Sequence, residues 1–248
     1  MRNLDLPEYW GSSFYELLQA RYPQYTRIPP MTGQLPPVPT GTTIVAIKYG
    51  KGAVIGGDRR ATVGGHMIIN EDIIKVFKTD DYSAMAIAGV FGPSVKMARL
   101  FQTELEHYEK VEGVSLTLEG KAMRLSAMIE QNLPAAMQGL TVMPLFVGFD
   151  PTLKVAKIFE YDITGGTFSK PQEEDFSCSG SGQERAHAVF EQFYKPGMTE
   201  EEAIRLTVKA LDFAKKRDAA TGGKHYIVKT VSERGVQDAP PEMAQSNA

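Results

Sequence analysis

Hydrophobic periodicity becomes dense at residue 42. Residues 42–48 and 53–57 read as two strands joined by the glycine-containing turn Tyr49-Gly50-Lys51-Gly52, which predicts a hairpin. Further strands are predicted at 67–69, 74–78 and 82–88. A long helix follows over about 93–111, where Val95, Ala98, Phe101, Leu105 and Tyr108 share a face. A second, over about 117–138, carries Leu118, Ala122, Leu125 and Ile129 at helical spacing. Strands return at 142–149 and 154–161, ahead of a turn at 162–166. Helices are expected at 183–194 and 199–217, the latter opened by Thr199 and Glu202 at capping-box spacing. A last strand is predicted at 225–231.

Two of these strands do not alternate. Residues 84–88 and 144–149 are apolar at successive positions, which means that both faces are covered. The helices fall in two pairs between blocks of strands. Two sheets packed face to face, each with a helix pair outside it, satisfy both facts. The predicted class is therefore α+β, a four-layer αββα sandwich. A doubly wound sheet competes, although strands in consecutive blocks weigh against it.

The first 41 residues differ from the rest and hold seven of the fifteen prolines. Proline fixes φ and removes a donor, so 23–39 is expected to be extended and outside any sheet. A short helix near 13–18 is plausible from the Ser13/Glu16 spacing and the shared face of Phe14, Leu17 and Leu18. It is too short to stand alone, so this leader either docks on the body or is a disordered tail. From about Pro240 to Ala248 the chain is expected to be loose.

The chain has 248 residues and a net charge of −3, which gives no electrostatic case for nucleic acid or an anionic membrane. A single cysteine, Cys178, excludes an intrachain disulfide and fits a reducing compartment. No stretch is apolar enough to span a bilayer, and Asp5, Pro7 and Glu8 interrupt any secretion-signal layout. A cytoplasmic protein is expected. His66, His107, His187 and His225 lack metal-site spacing, and Gly165-Gly166 and Gly222-Gly223 lack phosphate-loop spacing, so neither metal nor cofactor is expected.

Gly41-Thr42-Thr43 closes the proline-rich leader. A threonine hydroxyl is a weak nucleophile without a base, but the α-amine of an N-terminal threonine can serve as that base. The plainer alternative is two β-branched residues starting a strand. Asp58 follows Gly56-Gly57 at the end of the second strand, where it can cap a turn or pair with a cation. Lys75, amid Ile73-Ile74-Lys75-Val76-Phe77, is costly to bury unless paired, and Asp58 is the obvious partner; an edge-strand lysine is the alternative. Gly180-Ser181-Gly182 and the run from Asp218 through Thr221 to Gly223 are small-residue turns that can bring a hydroxyl or carboxylate to a site, or merely cap helices. The Gly89 N–H can face a substrate or simply make a turn.

Six segments together resemble the β-type subunits of proteasomes, the bacterial actinobacterial-type branch in particular. They are Gly-Thr-Thr-Ile-Val-Ala at 41–46, Gly-Gly-Asp-Arg-Arg-Ala-Thr at 56–62, Ile-Ala-Gly at 87–89, Glu-Leu-Glu-His-Tyr-Glu-Lys at 104–110, Gly-Ser-Gly-Gln at 180–183 and Lys-Arg-Asp-Ala-Ala-Thr-Gly-Gly at 216–223. The resemblance implies an N-terminal nucleophile hydrolase, a threonine endopeptidase that cuts itself between Gly41 and Thr42. Residues 1–41 would be a propeptide and 42–248 the catalytic domain. It implies Thr42 as nucleophile, Asp58 and Lys75 as its charged partners, the Gly89 N–H as oxyanion donor, and Ser181, Asp218 and Thr221 around the freed amine. Thr221 stands where many relatives carry serine. Ala61, Ile73 and Ile87 would line the pocket for the residue before the cut bond. Without a charge there, cleavage after apolar residues is expected. The resemblance further implies seven-membered β rings flanked by α-type rings, an ATPase unfoldase ring, and substrates that can carry a ubiquitin-like protein tag. The long leader and Gly-Ser-Gly-Gln separate the chain from the two-ring bacterial protease of the same superfamily. Retention of Thr42, Asp58 and Lys75 speaks against a non-catalytic ring subunit.

Overall fold

The computed structural model describes residues 39–169 and 175–246, so the expected helix near 13–18 and the leader prolines through Pro37 lie outside the described residues. The expected hairpin consists of β2 (Thr43–Tyr49) and β3 (Gly52–Gly57), with Ile44 opposite Gly57 and Tyr49 opposite Gly52. With β11 (Phe176–Gly180), β12 (Ile227–Ser232) and β13 (Gly235–Asp238) it builds an antiparallel sheet ordered β11-β2-β3-β12-β13. A second antiparallel sheet contains β6 (Val76–Asp80), β7 (Ser83–Gly89), β8 (Val142–Asp150), β9 (Val155–Tyr161) and β10 (Thr167–Ser169), ordered β10-β9-β8-β7-β6. The helices are α1 (Phe91–Glu112), α2 (Leu118–Ala136), α3 (Gln183–Phe193) and α4 (Glu200–Lys215).

Side-chain parity assigns the layers. On β2, Val45 and Ile47 pack with Phe190 of α3 and Ile204 and Leu211 of α4, whereas Ile44 and Ala46 turn inward to Ala84, Ala86, Leu145 and Val147 of the other sheet. On β7, Met85 and Ile87 face outward to Phe101 of α1 and Leu125 and Ile129 of α2. The architecture is α, β, β, α, and the uniformly antiparallel pairing removes the doubly wound alternative. The two unalternating runs lie in β7 and β8, interior strands of their sheet with a helix pair on one face and a sheet on the other. Thr199 caps α4 with the expected reciprocal bonds to Glu202.

Four expectations need correction. Pro39 does enter a sheet: β1 (Pro39–Thr40) pairs with β4 (Ala61–Val63), which pairs with β5 (Met67–Asn70). Proline is tolerated because β1 is an edge strand of this three-stranded sheet. The short strands β4, β10, β11 and β13 were not predicted. The strand expected at 74–78 begins at Val76, leaving Ile74 53% exposed and Lys75 buried in the lead-in. Residues 240–246 are docked, not loose. Tyr226 N–H donates to Ala244 O (2.9 Å), Ser246 Oγ donates to Asp212 Oδ1 (2.8 Å), and Ala239 and Ala244 are buried with the α3/α4 cluster. Among the described residues no helix is long and apolar enough to cross a membrane.

Candidate active site

Pairing between strands delivers the expected residues to one place. Gly57 ends β3 opposite Ile44, so Asp58 comes to lie beside Thr43: Asp58 N–H donates to Thr43 O (3.1 Å) and Thr43 N–H donates to Asp58 Oδ1 (3.0 Å). Gly180 ends β11 opposite Thr43, which sets Ser181 N–H on Thr42 O (2.8 Å). Lys75, just before β6, accepts at its carbonyl from Ile87 N–H of β7 (2.9 Å).

Asp58 is fully buried and fully bonded. Its Oδ1 also accepts from Lys75 Nζ (2.7 Å), and its Oδ2 from the N–H groups of Arg60 and Gly222 (both 3.0 Å). Lys75, only 2% exposed, spends all three ammonium hydrogens: on Asp58, on Arg60 O (2.5 Å) and on Gly41 O (3.2 Å). The ion pair is therefore compensated on both sides, as a buried pair must be. Burial pushes the Lys75 ammonium below its ordinary value, with Asp58 opposing. Burial raises the Asp58 carboxyl, while Lys75 and the N–H donors of Gly222 and Thr43 oppose that shift.

The Gly41–Thr42 bond sits at the mouth of this pair. Thr42 Oγ1 donates to Gly41 O at 2.5 Å, the same oxygen that Lys75 reaches. Gly41 has φ +100°, and a Cβ there would lie 2.3 Å from Ala220 Cβ and 2.7 Å from Thr62 Oγ1, so only glycine fits. Gly89 is similarly constrained: φ is +110°, and an added Cβ would come 2.2 Å from Thr141 O. Amides alternate sides along a strand. Val90 N–H points to Thr141 O (2.9 Å) and Ile87 N–H to Lys75 O, so the Gly89 N–H turns towards the Lys75 side.

A second carboxylate completes the cluster. Asp218 Oδ2 accepts from Ser181 Oγ (2.6 Å) and Thr221 Oγ1 (2.5 Å), and its Oδ1 from Ala220 N–H (3.1 Å). Thr42 N–H in turn donates to Ser181 Oγ at 3.4 Å. Sequence reasoning missed Thr43. Its hydroxyl is fully buried, accepts from Gly182 N–H (3.1 Å) and lies 2.5 Å from Thr221 Oγ1, linking β2 to both turns. The doubled threonine held the signal: a strand presents only one of two neighbouring side chains to a cleft, and a hydroxyl turned inward needs partners.

Ala61, Ile73 and Ile87 border the same concavity as Thr42, Lys75 and Gly89. Phe91 and Ser94 of α1 also line it and were not anticipated; Phe91 lies ahead of the helix expected from periodicity, since α1 begins two residues earlier. Among the described residues no three His, Cys, Asp or Glu gather to hold a metal ion.

Residues 38–230 match the proteasome subunit family. A proteasome subunit beta of Streptomyces griseus is 47% identical over 217 residues, covering 86% of this chain and 75% of that protein. One of Acidimicrobium ferrooxidans is 51% identical over 186 residues, 75% of this chain and 67% of that protein. Proteasome subunit beta 2 of Thermomonospora curvata is 46% identical over 216 residues, with coverage of 86% and 75%. On the extent of these matches, the chain belongs to the proteasome subunit family, in its β branch.

Proposed function

We propose that this chain is the catalytic β subunit of a bacterial 20S proteasome, with Thr42 as nucleophile once the Gly41–Thr42 bond is cut. The reading is carried by one oxygen: Gly41 O receives both the Thr42 hydroxyl and the Lys75 ammonium. Attack of Thr42 Oγ1 on the Gly41 carbonyl carbon transfers the acyl group from nitrogen to oxygen. Water then splits the ester, releasing residues 1–41 with a new carboxylate and leaving 248 − 41 = 207 residues that begin with a free amine. That amine, with a pKa of about 7.7–8.0 in model compounds, takes the hydroxyl proton as Thr42 attacks a substrate carbonyl. The acyl-enzyme forms as the leaving amine is protonated, and water hydrolyses it. The Gly89 N–H donates to the oxyanion. Lys75, held by Asp58, favours the unprotonated amine, and Ser181, Asp218 and Thr221 orient it.

The apolar wall of Ala61, Ile73 and Ile87 favours cleavage after apolar or aromatic residues. Fluorogenic peptides with Tyr, Arg or Glu before the scissile bond check this, and fastest turnover of the Arg or Glu peptide would refute it. Assembly follows the family: β subunits in seven-membered rings flanked by α-type rings, fed in the cytoplasm by an ATPase ring with substrates that can carry a ubiquitin-like tag. The deciding experiment co-assembles the chain with an α-type subunit and measures intact mass and peptide hydrolysis. The expected product begins at Thr42, and Thr42→Ala abolishes both scission and hydrolysis. An active particle whose β chains still begin at Met1 overturns the reading.

A further inference from the structure

Arg60 adds a side-chain tie between parts of the site that Gly222 N–H and Thr43 also connect. Its main chain already belongs to the buried pair, since its N–H donates to Asp58 Oδ2 and its carbonyl accepts from Lys75. Its side chain leaves in another direction. Nη1 donates to Ala219 O (3.0 Å) and Thr221 O (3.3 Å), while Nη2 donates to Glu71 Oε1 (2.9 Å). The guanidinium lies against Gly222, where an added Cβ would stand 2.3 Å from Arg60 Cζ.

The segment clamped in this way, residues 219–222, touches several parts of the centre. The Gly222 N–H serves Asp58, the Thr221 hydroxyl serves Asp218, and Ala220 packs against Gly41. We propose that the Arg60 guanidinium is a positioning residue, clamping the 219–222 segment so that the Asp58–Lys75 pair and the Asp218–Ser181–Thr221 cluster keep one geometry around Thr42. The inference rests on Thr42 being the nucleophile. An arginine suits the task because its planar fork offers donors on two edges at once: one edge meets two carbonyls, the other a carboxylate. Lysine supplies charge without the fork. The Arg60 charge also adds, in smaller part than burial, to the lowering of Lys75.

The test compares wild type, Arg60→Lys and Arg60→Gln as full chains co-assembled with an α-type subunit, with active sites titrated by a covalent threonine-directed inhibitor. Both variants are expected to lose about tenfold or more in kcat per titrated site, because small misplacements of reacting groups carry such costs. KM should change less than twofold. A role confined to folding would lower the number of titratable sites and leave kcat per site unchanged. A per-site kcat within twofold of wild type in either variant overturns the clamp. Should neither variant assemble, Glu71→Ala decides: it releases the exposed end of the guanidinium, and an unchanged kcat refutes the proposal while a several-fold loss at constant KM supports it. Thr42→Ala runs in parallel. Hydrolysis by that particle would remove the nucleophile reading itself, whereas a dead Thr42→Ala beside a fully active Arg60→Gln removes only the clamp.

Discussion

Lys75 shows how much a single residue can be asked to do. Its ammonium is buried and has no spare hydrogen, and its three acceptors come from two stretches of chain, Gly41 before β2 and the Asp58–Arg60 turn after β3. Lys75→Met leaves Asp58 buried beside four donors reduced to three, and losing one partner of a buried ion pair costs about 3–5 kcal/mol. Urea unfolding of the free chain is expected to register that loss, and assembled particles are expected to show no measurable peptide hydrolysis. Gly41 is constrained by both its backbone and its neighbours. Gly41→Ala must move against Ala220 and Thr62 or abandon φ +100°, and strain of this kind costs about 1–3 kcal/mol. Either movement takes the carbonyl from Lys75, so leader removal, followed by intact mass over time, is expected to slow about tenfold or more.

At the scale of elements, much of the fold was legible because hydrophobic periodicity and burial agree. The hairpin of β2 and β3, the doubly covered β7 and β8, and the apolar stripes of α1 and α2 were read from side-chain pattern, except that Tyr108, placed on the α1 stripe, is exposed. The strands that escaped are short or polar. β4, β10, β11 and β13 span three to five residues, too few for a period to emerge, and β11 is mostly small residues whose place is fixed by pairing with β2. Among site residues, Thr42, Asp58 and Lys75 drew attention as chemical oddities in a strand context. Arg60 and Thr43 passed as ordinary, since their contacts depend on loops more than a hundred residues away in sequence. Local signals do carry energetic weight. Thr199→Ala removes the α4 cap and is expected to lower stability by about 1 kcal/mol with kcat unchanged, checked by unfolding and assay together.

Across the molecule, the two five-stranded sheets bring the three buried clusters of the described residues into register, and residues 243–246 close one of them. Met243 and Ala244 cover the α3/α4 cluster, and Ser246 ties Asp212 to Lys215. Removal of residues 240–248 is therefore expected to cost about 1–3 kcal/mol through lost hydrogen bonds and burial, a drop of roughly 2–12 °C in Tm for a chain of this size. The tail's contacts are with the α3/α4 cluster, Tyr226, Asp212 and Lys215, so scission at Gly41 is expected to persist in the truncated chain. The opposite end of the described chain has a different significance. Pro39 and Thr40 pair with Val63 and Thr62, and those two residues would leave with the leader. Their departure would strip one side of β4, turning a paired strand into a vacant template beside Thr42. An extended peptide that filled that vacancy would be gripped by its main chain, whose amides and carbonyls are common to every sequence, and the leader would have served as the casting mould for its guests.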